Sequence, residues 1–553
     1  MKAQHILASA SGLLSAANGA SPDPKRQPLP PMGFNNWARY MCDINEKIFV
    51  DAADTMSKNG LLAAGYNRLN LDDCWSTKKR DATNNKMVWD TTKFPQGLPW
   101  LTKYVKSKGF IPGIYSDSGT LSCGGYPGTL GYEELDLQTF SDWGFEYLKL
   151  DGCYVPTDKE AAYHEIYTKW FKLLANFPKP VVFSDSAPAY FSGAANLTDW
   201  YTVMNWAADY GQLARHSDDI LVYRDGNGTD AWKSMMVNYG QHVRLARYQQ
   251  PGYFNDPDFL NTDHRGYTMD EKKTHFALWA SFSAPLIISA DIPNLSAEEI
   301  AFLSNKDLIA VDQDPLVQQA TLVSQDATWD VLSKSLANGD RLLTVLNKGE
   351  TPADITVSWA RLGIRTARID PNTELNVKDL WTGASSKVKI SAAGVSAKAV
   401  PRHGTAVFRI SGRMGGSDHP IVTPTGQIFN TFSLKCLTDD KSGTVSWKAC
   451  DASDAQVWVH RDDGHINSLL RPDECIVDAN GHILSRHSGC HTDAWTYYKG
   501  GNLVNNNNGH CLTENADGSA SSNFCEYETN DQVVGLPIGV PVVDVTNFKK
   551  TQQ

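Results

Sequence analysis

The chain has 553 residues, a formal charge of −11 at pH 7 and a pI near 5.7. Nucleic acids require a basic surface, so this charge argues against a nucleic-acid partner. No stretch beyond the N-terminus offers the run of about 18 apolar residues that a membrane span needs, and we expect no membrane partner. The length allows roughly two to four domains.

The N-terminus has the pattern of a secretory signal peptide. Lys2 precedes a modest apolar run from Ile6 to Leu14, and small residues continue to Ala20. We predict a signal peptide over residues 1–20 and a propeptide over residues 21–26, ending at the dibasic Lys25-Arg26. The alternative is a disordered Ala/Ser-rich tail. A signal peptide predicts a secreted, extracellular protein.

Residues 27–318 alternate short apolar runs with amphipathic stretches such as WLTKYVKSKG, several of which end in Gly. Eight repeated β-then-α units predict a (β/α)8 barrel, whose active site lies at the C-terminal ends of the strands. The predicted strands end near Trp37, Asp73, Asp117, Asp151, Asp185, Asn205, Asp256 and Ala290.

Carboxylates collect at these predicted strand ends. In YLKLDGC, Asp151 ends an apolar run, directly before Gly152. A single acid of this kind is usually a cap or an ion-pair partner. Several gathered acids repel one another and raise some pKa values, which a scaffold tolerates mainly where chemistry or sugar hydroxyls need them. The pattern therefore favours a catalytic cleft.

Residues 319–412 show strand-like alternation, as in RLLTVLNKG and HGTAVFRIS, and predict an antiparallel β-sandwich with a packing role. Residues 413–425 are rich in Gly, Ser, Pro and Thr and predict a linker. The last residues, 539–553, are predicted to be a tail.

Residues 426–538 contain a threefold repeat that starts at Cys436, Cys475 and Cys511. Short strands in repeats of about 40 residues predict a β-trefoil, and an unrelated disulfide-stapled module is the alternative. A second cysteine follows each first one 14 or 15 residues later, which predicts the disulfides Cys436–Cys450, Cys475–Cys490 and Cys511–Cys525. An acid follows each first cysteine, and these acids are candidate sugar-binding residues: Asp439, Asp478 and Glu514.

Ten cysteines, an even number, are typical of a secreted protein. None forms the CxxC clusters typical of zinc sites, and we expect no metal and no organic cofactor. Three sequons are compatible with N-glycosylation, at Asn196, Asn227 and Asn294.

Seven motifs between Leu29 and Arg409 resemble glycoside hydrolase family 27, the α-galactosidases and α-N-acetylgalactosaminidases. They are MGFNNW, NLDDCW, GIYSDSG, GGYPGT, YLKLDGC, ARHSDDI and FNDPDFL. The C-terminal repeats resemble a ricin-type lectin trefoil, although the Gln-x-Trp signature is complete only at Gln456. The resemblance implies hydrolysis of terminal α-galactosides with retention, a carbohydrate ligand for the trefoil, and the disulfides Cys42–Cys74 and Cys123–Cys153.

The resemblance also implies catalytic roles. Asp151 is the implied nucleophile, and Asp219, four residues after Arg215 in ARHSDDI, is the implied acid/base. Asp218 is expected to point elsewhere, and the nearby Tyr223-Arg224-Asp225 lacks the family spacing. We expect burial or the charge of Asp151 to raise the pKa of Asp219 and to give an acidic pH optimum.

Ten residues are predicted to bind substrate. Asp72 and Asp73 match acceptors for the galactose O4 and O6 hydroxyls, and Lys149 is expected to hold the nucleophile ionised. Asp256 and Asp258 are predicted to cap backbone amides instead. The full predicted set is Trp37, Asp72, Asp73, Tyr115, Cys123, Lys149, Ser186, Ala189, Tyr190 and Arg215.

The sugar preference is open at this stage. In SDSAPAY, Ser186 and Ala189 stand where galactose-specific members have Glu and a bulkier residue, so α-N-acetylgalactosaminidase activity is an alternative to α-galactosidase activity. A transglycosylase shares the covalent intermediate and is not separated by sequence. A lectin with an inert barrel is a remote alternative, because both implied carboxylates are present. The oligomeric state is not predicted.

Overall fold

A computed structural model describes residues 24–223 and 230–544. The predicted signal peptide, the first part of the predicted propeptide, the sequon at Asn227 and the end of the predicted tail lie outside these residues. Among the described residues, no helix is both long and apolar enough to cross a membrane.

Eight parallel strands form the first domain, in the order β7-β6-β5-β4-β3-β2-β1-β8. Every residue of β1 and β2 is buried, as expected where helices cover a parallel sheet. A parallel bridge between Leu260 and Ile288 closes the ring. The strands are β1 (Met32–Asn35), β2 (Arg68–Leu71), β3 (Ile111–Asp117), β4 (Tyr147–Asp151), β5 (Val182–Asp185), β6 (Leu213–Arg215), β7 (Phe254–Asp256) and β8 (Leu286–Ile288).

Helices alternate with these strands, and side-chain caps fix several of their starts. The Asn45 side chain accepts a hydrogen bond from the Ile48 amide, and Thr268 forms a capping box with Glu271. The α-helices are α1 (Trp37–Tyr40), α2 (Glu46–Asn59), α3 (Leu98–Ser107), α4 (Glu133–Asp142), α5 (Glu160–Asn176), α6 (Thr198–Tyr210), α7 (Ala231–His242), α8 (Met269–Ser281), α9 (Ala297–Leu303) and α10 (Lys306–Asp312).

The prediction of a strand ending near Asn205 is wrong, because Asn205 lies inside α6 and the sixth strand is Leu213–Arg215. The run WYTVMNWAA resembles a buried strand because α6 is apolar on more than one face. Trp200, Tyr201, Val203 and Met204 are all buried. The barrel covers one side of the helix, and the C-terminal domain covers another, through Tyr201 and Thr431.

The second domain pairs a six-stranded antiparallel sheet, in the order β14-β13-β16-β11-β10-β9, with a two-stranded sheet of β12 and β15. Its own apolar core includes Val331, Val345, Trp359 and Ile410. The strands are β9 (Thr321–Gln325), β10 (Trp329–Ser335), β11 (Arg341–Asn347), β12 (Ala353–Val357), β13 (Glu374–Asp379), β14 (Ser385–Lys389), β15 (Val395–Val400) and β16 (Thr405–Ser411).

The third domain contains short strands around a core that includes Trp458, Ile476 and Leu512. The first cysteine of each repeat begins a hairpin strand, in β19, β23 and β27. The strands are β17 (Thr425–Gln427), β18 (Phe429–Asn430), β19 (Cys436–Asp439), β20 (Val445–Lys448), β21 (Val457–His460), β22 (Ile466–Ser468), β23 (Cys475–Ala479), β24 (His482–Arg486), β25 (Trp495–Tyr498), β26 (Leu503–Asn505), β27 (Cys511–Glu514), β28 (Ala520–Asn523), β29 (Val534–Gly535) and β30 (Val542–Val543).

The connection between the second and third domains packs on the sandwich. The Thr423 amide donates to the Gly363 carbonyl at 2.9 Å, and Val422 forms a bridge with Ile364. The predicted linker over residues 413–425 is thus anchored near its C-terminal end. The predicted fold class, a barrel followed by a sandwich and a trefoil, is confirmed.

All ten cysteines form disulfides, and all five pairings are the predicted ones. Cys42–Cys74 and Cys123–Cys153 tie loops at the C-terminal ends of the barrel strands. The other three close one small loop in each trefoil repeat.

Candidate active site

A cavity of about 590 Å³ lies at the C-terminal ends of the barrel strands. Its lining includes both predicted catalytic acids and nine of the ten predicted substrate-binding residues; Asp73 is the exception. It also includes four residues that the predicted set lacks. The lining residues are Trp37, Asp72, Tyr115, Cys123, Lys149, Asp151, Cys153, Ser186, Ala189, Tyr190, Gly193, Ala194, Arg215, Asp218 and Asp219.

A larger groove, of about 1240 Å³, lies outside the barrel between α4 and α5. Its lining includes helix-face residues such as Glu134, Glu165 and Lys172 but none of the strand-end acids. The convergence of acids, and not the size of the hollow, therefore identifies the candidate active site.

Asp151 lies beside a second, more deeply buried acid. The Tyr190 hydroxyl donates to Asp151 Oδ1 at 2.5 Å, and the Gly152 amide donates to the same oxygen at 3.0 Å. Asp117 faces Asp151 in the pairing of β3 with β4 and accepts hydrogen bonds from the Gly119 and Cys153 amides. Burial and the neighbouring charge of Asp151 raise the pKa of Asp117 well above its usual range.

Lys149 connects the nucleophile strand to Asp72. Alternate residues of a strand share a face, so Lys149 and Asp151 both reach the cavity. The Lys149 ammonium donates to Asp72 Oδ2 at 2.9 Å, and the side-chain Nδ2 of Asn35 donates to the same oxygen at 2.7 Å. Burial lowers the pKa of Lys149, but the charges of Asp72 and Asp151 outweigh it and raise that pKa overall. Lys149 therefore stays charged.

Asp73 is held away from the cavity lining. Its Oδ1 accepts from the Ser122 hydroxyl at 2.8 Å, and its Oδ2 accepts from the Gly124 amide at 2.7 Å. The side chain is buried, and burial raises the pKa of Asp73. Its predicted contact with a sugar hydroxyl stays a prediction, with Asp72 as the member of the pair that borders the cavity.

Asp219 lies at the mouth of the cavity, with 58% of its side chain exposed. Arg215 Nη2 donates to Asp219 Oδ1 at 2.8 Å, and Trp37 Nε1 donates to Asp219 Oδ2 at 3.3 Å. Partial desolvation by the cavity wall raises the pKa of Asp219, but the charges of Arg215 and Lys149 outweigh this effect, so that pKa lies below its usual range. The expectation of a raised pKa for Asp219 is therefore wrong.

Asp218 also borders the cavity, contrary to the expectation that it points elsewhere. Both members of the Asp218-Asp219 pair thus lie where substrate would enter. Arg215 distinguishes them, because its guanidinium reaches Asp219 on one side and Asp258 on the other, at 2.8 and 2.9 Å. Only the three-dimensional neighbours could have shown that Asp218 is at the rim.

Asp256 and Asp258 are buried and act as caps. Asp256 Oδ1 accepts from the Asp258 amide at 2.9 Å, and Asp258 Oδ2 accepts from the Ile220 amide at 2.7 Å. The second contact holds the backbone directly after Asp219. This geometry agrees with the predicted capping role.

The loop after β5 carries the residues predicted to set sugar preference. Ser186 and Ala189 both line the cavity, and the Ser186 hydroxyl is buried without a hydrogen-bond partner among the described residues. Asp185, below this loop, accepts from the Ala187 amide at 2.7 Å, and burial raises the pKa of Asp185 to about 8. The loop therefore rests on a buried carboxyl group and places Ser186 and Ala189 on the cavity lining.

One cluster among the described residues has the spacing of metal ligands, namely Asp117 with Cys123 and Cys153. Both sulfur atoms belong to one disulfide, so neither can act as a thiolate ligand. The disulfide instead forms part of the cavity wall, where the Tyr190 hydroxyl lies 3.2 Å from Cys153 Sγ.

The three trefoil acids occupy equivalent hairpins but have different partners. Asp439 forms a bidentate ion pair with Arg471 and is 1% exposed. Glu514 pairs with Lys435 at 2.7 Å. Asp478 accepts from the Asn508 amide group, which carries no charge.

Comparison with known proteins decides the family. Residues 29–314 match the family described as alpha galactosidase A, and residues 326–410 match the alpha galactosidase C-terminal beta sandwich domain. The chain is 52% identical to alpha-galactosidase A of Aspergillus niger over 536 residues, which cover 94% of each chain.

The chain belongs to the α-galactosidase family, glycoside hydrolase family 27.

Solved structures of this family have the same fold. The α-galactosidase I of Mortierella vinacea is 27% identical, with a TM-score of 0.62, and the match covers 71% of this chain and 98% of that one. The Saccharomyces cerevisiae α-galactosidase is 25% identical, with a TM-score of 0.60, and covers 69% and 97%. The predicted α-galactosidase activity is confirmed, and an inert barrel is not supported.

Residues 424–532 match the ricin-type beta-trefoil lectin domain, which confirms the predicted lectin resemblance. The α-galactosidase barrel is thus joined to a carbohydrate-binding domain in one chain. Gln532 also repeats the contacts of Gln456, since each amide group bonds a threonine hydroxyl of its own repeat at 3.1 Å. The third repeat therefore keeps the structural glutamine of the signature without its tryptophan.

Proposed function

We propose that this α-galactosidase acts by double displacement, with Asp151 as nucleophile and Asp219 as acid/base. The observation that carries the proposal is that both carboxylates border one saccharide-sized cavity and come from different strand ends, β4 and β6. In a retaining enzyme one carboxylate attacks the anomeric carbon while the other protonates the leaving oxygen and then activates water.

The neighbours of each acid suit its role. Asp151 accepts the Tyr190 hydroxyl and has the ammonium of Lys149 on the same strand face, which favours an ionised nucleophile. Asp219 is exposed at the mouth, where a leaving group departs and water enters. Asp72, already bonded to Lys149, is a charged acceptor for a sugar hydroxyl.

Replacement of Asp151 tests this assignment. Asp151→Asn should lower kcat by about 10⁴-fold or more, because the variant lacks the carboxylate that attacks the anomeric carbon. The first product released by the native enzyme should be α-galactose, measured by proton NMR before mutarotation. Retained hydrolysis by the variant, or β-galactose as first product, would contradict the proposal.

α-N-Acetylgalactosaminidase activity is the second candidate. The Ser186 hydroxyl, buried and unpaired among the described residues, can donate to an acetamido carbonyl, and the small Ala189 leaves room for the methyl group. We expect the enzyme to hydrolyse an aryl α-N-acetylgalactosaminide as well as an aryl α-galactoside.

A paired substitution tests that preference. The double change Ser186→Glu and Ala189→Leu should remove turnover of the acetamido sugar and keep turnover of the galactoside, because added volume crowds only the larger 2-substituent. The readout is kcat/KM on both aryl glycosides. No turnover of the acetamido sugar by the native enzyme would end this candidate.

For the trefoil we propose that the second repeat binds carbohydrate. Arg471 already neutralises Asp439, and Lys435 neutralises Glu514, whereas the side chain of Asp478 bonds a neutral amide. Asp478→Ala should abolish retention on immobilised galactose without loss of hydrolysis. Glu514→Gln is the matched control and should bind as the native chain does; equal losses in both variants would contradict the choice of repeat.

We also propose that the protein is secreted. The five disulfides suit an oxidising compartment, and the N-terminal sequence has the form of a signal peptide. N-terminal sequencing of protein from culture medium should begin at Ser21 after removal of the signal peptide alone, or at Gln27 after removal of the predicted propeptide as well. A product that keeps Met1 would contradict cleavage.

A further inference from the structure

Helix α6 is the barrel element on which the trefoil rests. The Tyr201 hydroxyl lies 2.8 Å from the Thr431 hydroxyl of the trefoil, in a buried contact. Asn205 Nδ2 donates to Glu528 Oε1 at 2.6 Å, and the Thr202 hydroxyl donates to the other oxygen of Glu528. The helix is therefore fixed to the trefoil along one side.

The trefoil also binds the amide of the residue that precedes this helix, whereas the first helical amide, of Thr198, donates to Oδ1 of Asn196. Leu197 is the N-cap of α6, and its own side chain cannot cap. Its backbone amide donates instead to Oδ1 of Asn530, at 3.1 Å. Asn430 holds Asn530 in turn, by donating to its carbonyl at 2.9 Å. Without Asn530 the Leu197 amide would lose this partner, and the chain directly before the helix would be less well fixed, since the first amides at a helix start have no partner inside the helix.

The chain directly before this helix forms one wall of the catalytic cavity. Gly193 and Ala194 line the cavity. Ala194 is only three residues before Leu197 in the chain. They follow the 3₁₀ turn Ala187–Phe191, which carries Tyr190 and its hydrogen bond to Asp151. A displaced start of α6 would therefore move the wall that contacts the nucleophile.

The same helix reaches the acid/base segment. Trp200 Nε1 donates to the backbone carbonyl of His216 at 3.0 Å, three residues before Asp219. Both groups are buried. One helix thus contacts the trefoil, the loop after β5 and the segment after β6.

We propose that Asn530 and Glu528 of the trefoil are positioning residues for catalysis, acting through α6 on the Ser186–Ala194 wall. The trefoil then has a second role besides carbohydrate binding. The inference rests on the proposed active site, because the wall matters only if Tyr190 and Ser186 face the sugar.

The test uses the full-length enzyme and a matched control. Asn530→Ala removes the acceptor for the Leu197 amide, whereas Asn530→Asp keeps an oxygen in the same place. Lys499→Ala is the control, because Lys499 makes an ion pair with Asp209 at 2.6 Å near the opposite end of α6. It breaks a contact between the same two domains without touching the cavity wall.

We expect Asn530→Ala to lower kcat/KM on an aryl α-galactoside by about 3- to 10-fold, the usual worth of one hydrogen bond. Asn530→Asp should restore the native value, and Lys499→Ala should stay within about twofold of it. The loss should be smaller on the 2-deoxygalactoside, because the wall lies against the 2-position. Assays run well below each variant's Tm, measured by calorimetry.

Three results would overturn the inference: an unchanged kcat/KM in Asn530→Ala, an equal loss in Lys499→Ala, or an equal loss on both sugars. Either of the last two results would show that the contact between α6 and the trefoil only stabilises the fold. Failure of the proposed active site has a different signature, since it would show as activity that survives Asp151→Asn.

Discussion

The two sides of the catalytic cavity place carboxylates in opposite surroundings. On the β4 side, Asp151 accepts from a tyrosine hydroxyl and a backbone amide and has the buried Asp117 beside it. On the β6 side, Asp219 accepts from the guanidinium of Arg215. The same side-chain chemistry therefore meets two environments, with a hydroxyl and an amide as donors on one side and a cation on the other.

The contrast also shows how the free enzyme avoids the repulsion between clustered acids. Lys149 pairs with Asp72 below the cavity, and Arg215 pairs with Asp219 and Asp258 at its side. Two buried cations thus lie among the acids that border the cavity or cap its loops. A substrate that displaces one of these contacts exposes a charge that is already oriented towards it.

The sharpest test of the difference between the two acids is how the rate of an Asp219 variant depends on the leaving group of the substrate. Asp219→Asn should slow galactosides with poor leaving groups by about 10²- to 10⁴-fold, the usual worth of a general acid. A dinitrophenyl galactoside needs little protonation, and its first step should slow far less. Asp218→Asn is the comparator and should show no such difference; if it does, the two acids have been assigned in the wrong order.

A smaller effect is expected from the nucleophile side. Tyr190→Phe removes the hydroxyl that bonds Asp151 and keeps the ring against Tyr163, whose centroid lies 5.5 Å away. Hydrogen bonds to charged groups suggest a loss of about 10- to 100-fold in kcat/KM. A loss below twofold would show that this bond is not used when substrate is bound.

The smallest effect is a change in pH profile. Asp219 must be protonated to act as acid, and its pKa is held low, so kcat/KM should fall as pH rises and the optimum should be acidic. Trp37→Phe removes one donor that favours the charged form. The pKa of Asp219 should then rise, and the alkaline limb of the kcat/KM profile should move to higher pH by under about one unit. An alkaline limb at the same pH in Trp37→Phe would contradict this.

The sequence predicts the parts of the site that depend on local pattern. Apolar runs that end in acids locate most of the barrel strands, and Asp72, Lys149, Asp151 and Asp219 all border the cavity as predicted. The sixth strand is misplaced because α6 is buried on more than one face, so its sequence lacks a clear helical period and resembles a buried strand. That burial comes from a trefoil residue such as Thr431, which is 230 positions away from Tyr201.

Electrostatics depends on distant neighbours and is less predictable. Burial and the charge of Asp151 suggest a raised pKa for Asp219, yet Arg215 and Lys149 reverse the direction. Lys149 comes from another strand, and its influence follows only from the folded barrel. The rim position of Asp218 and the partners of Asp73 are likewise set by loop geometry that no local pattern encodes.

The most direct test of the central claim is to identify the residue that carries the sugar. A fluorinated α-galactosyl fluoride that slows the second step should accumulate the glycosyl-enzyme, and peptide mass spectrometry locates the added hexose. We predict one fluorogalactosyl group on the peptide that contains Asp151, and none in Asp151→Asn. A label on Asp117 or Asp219, or an enzyme that turns over without any covalent adduct, would contradict the account.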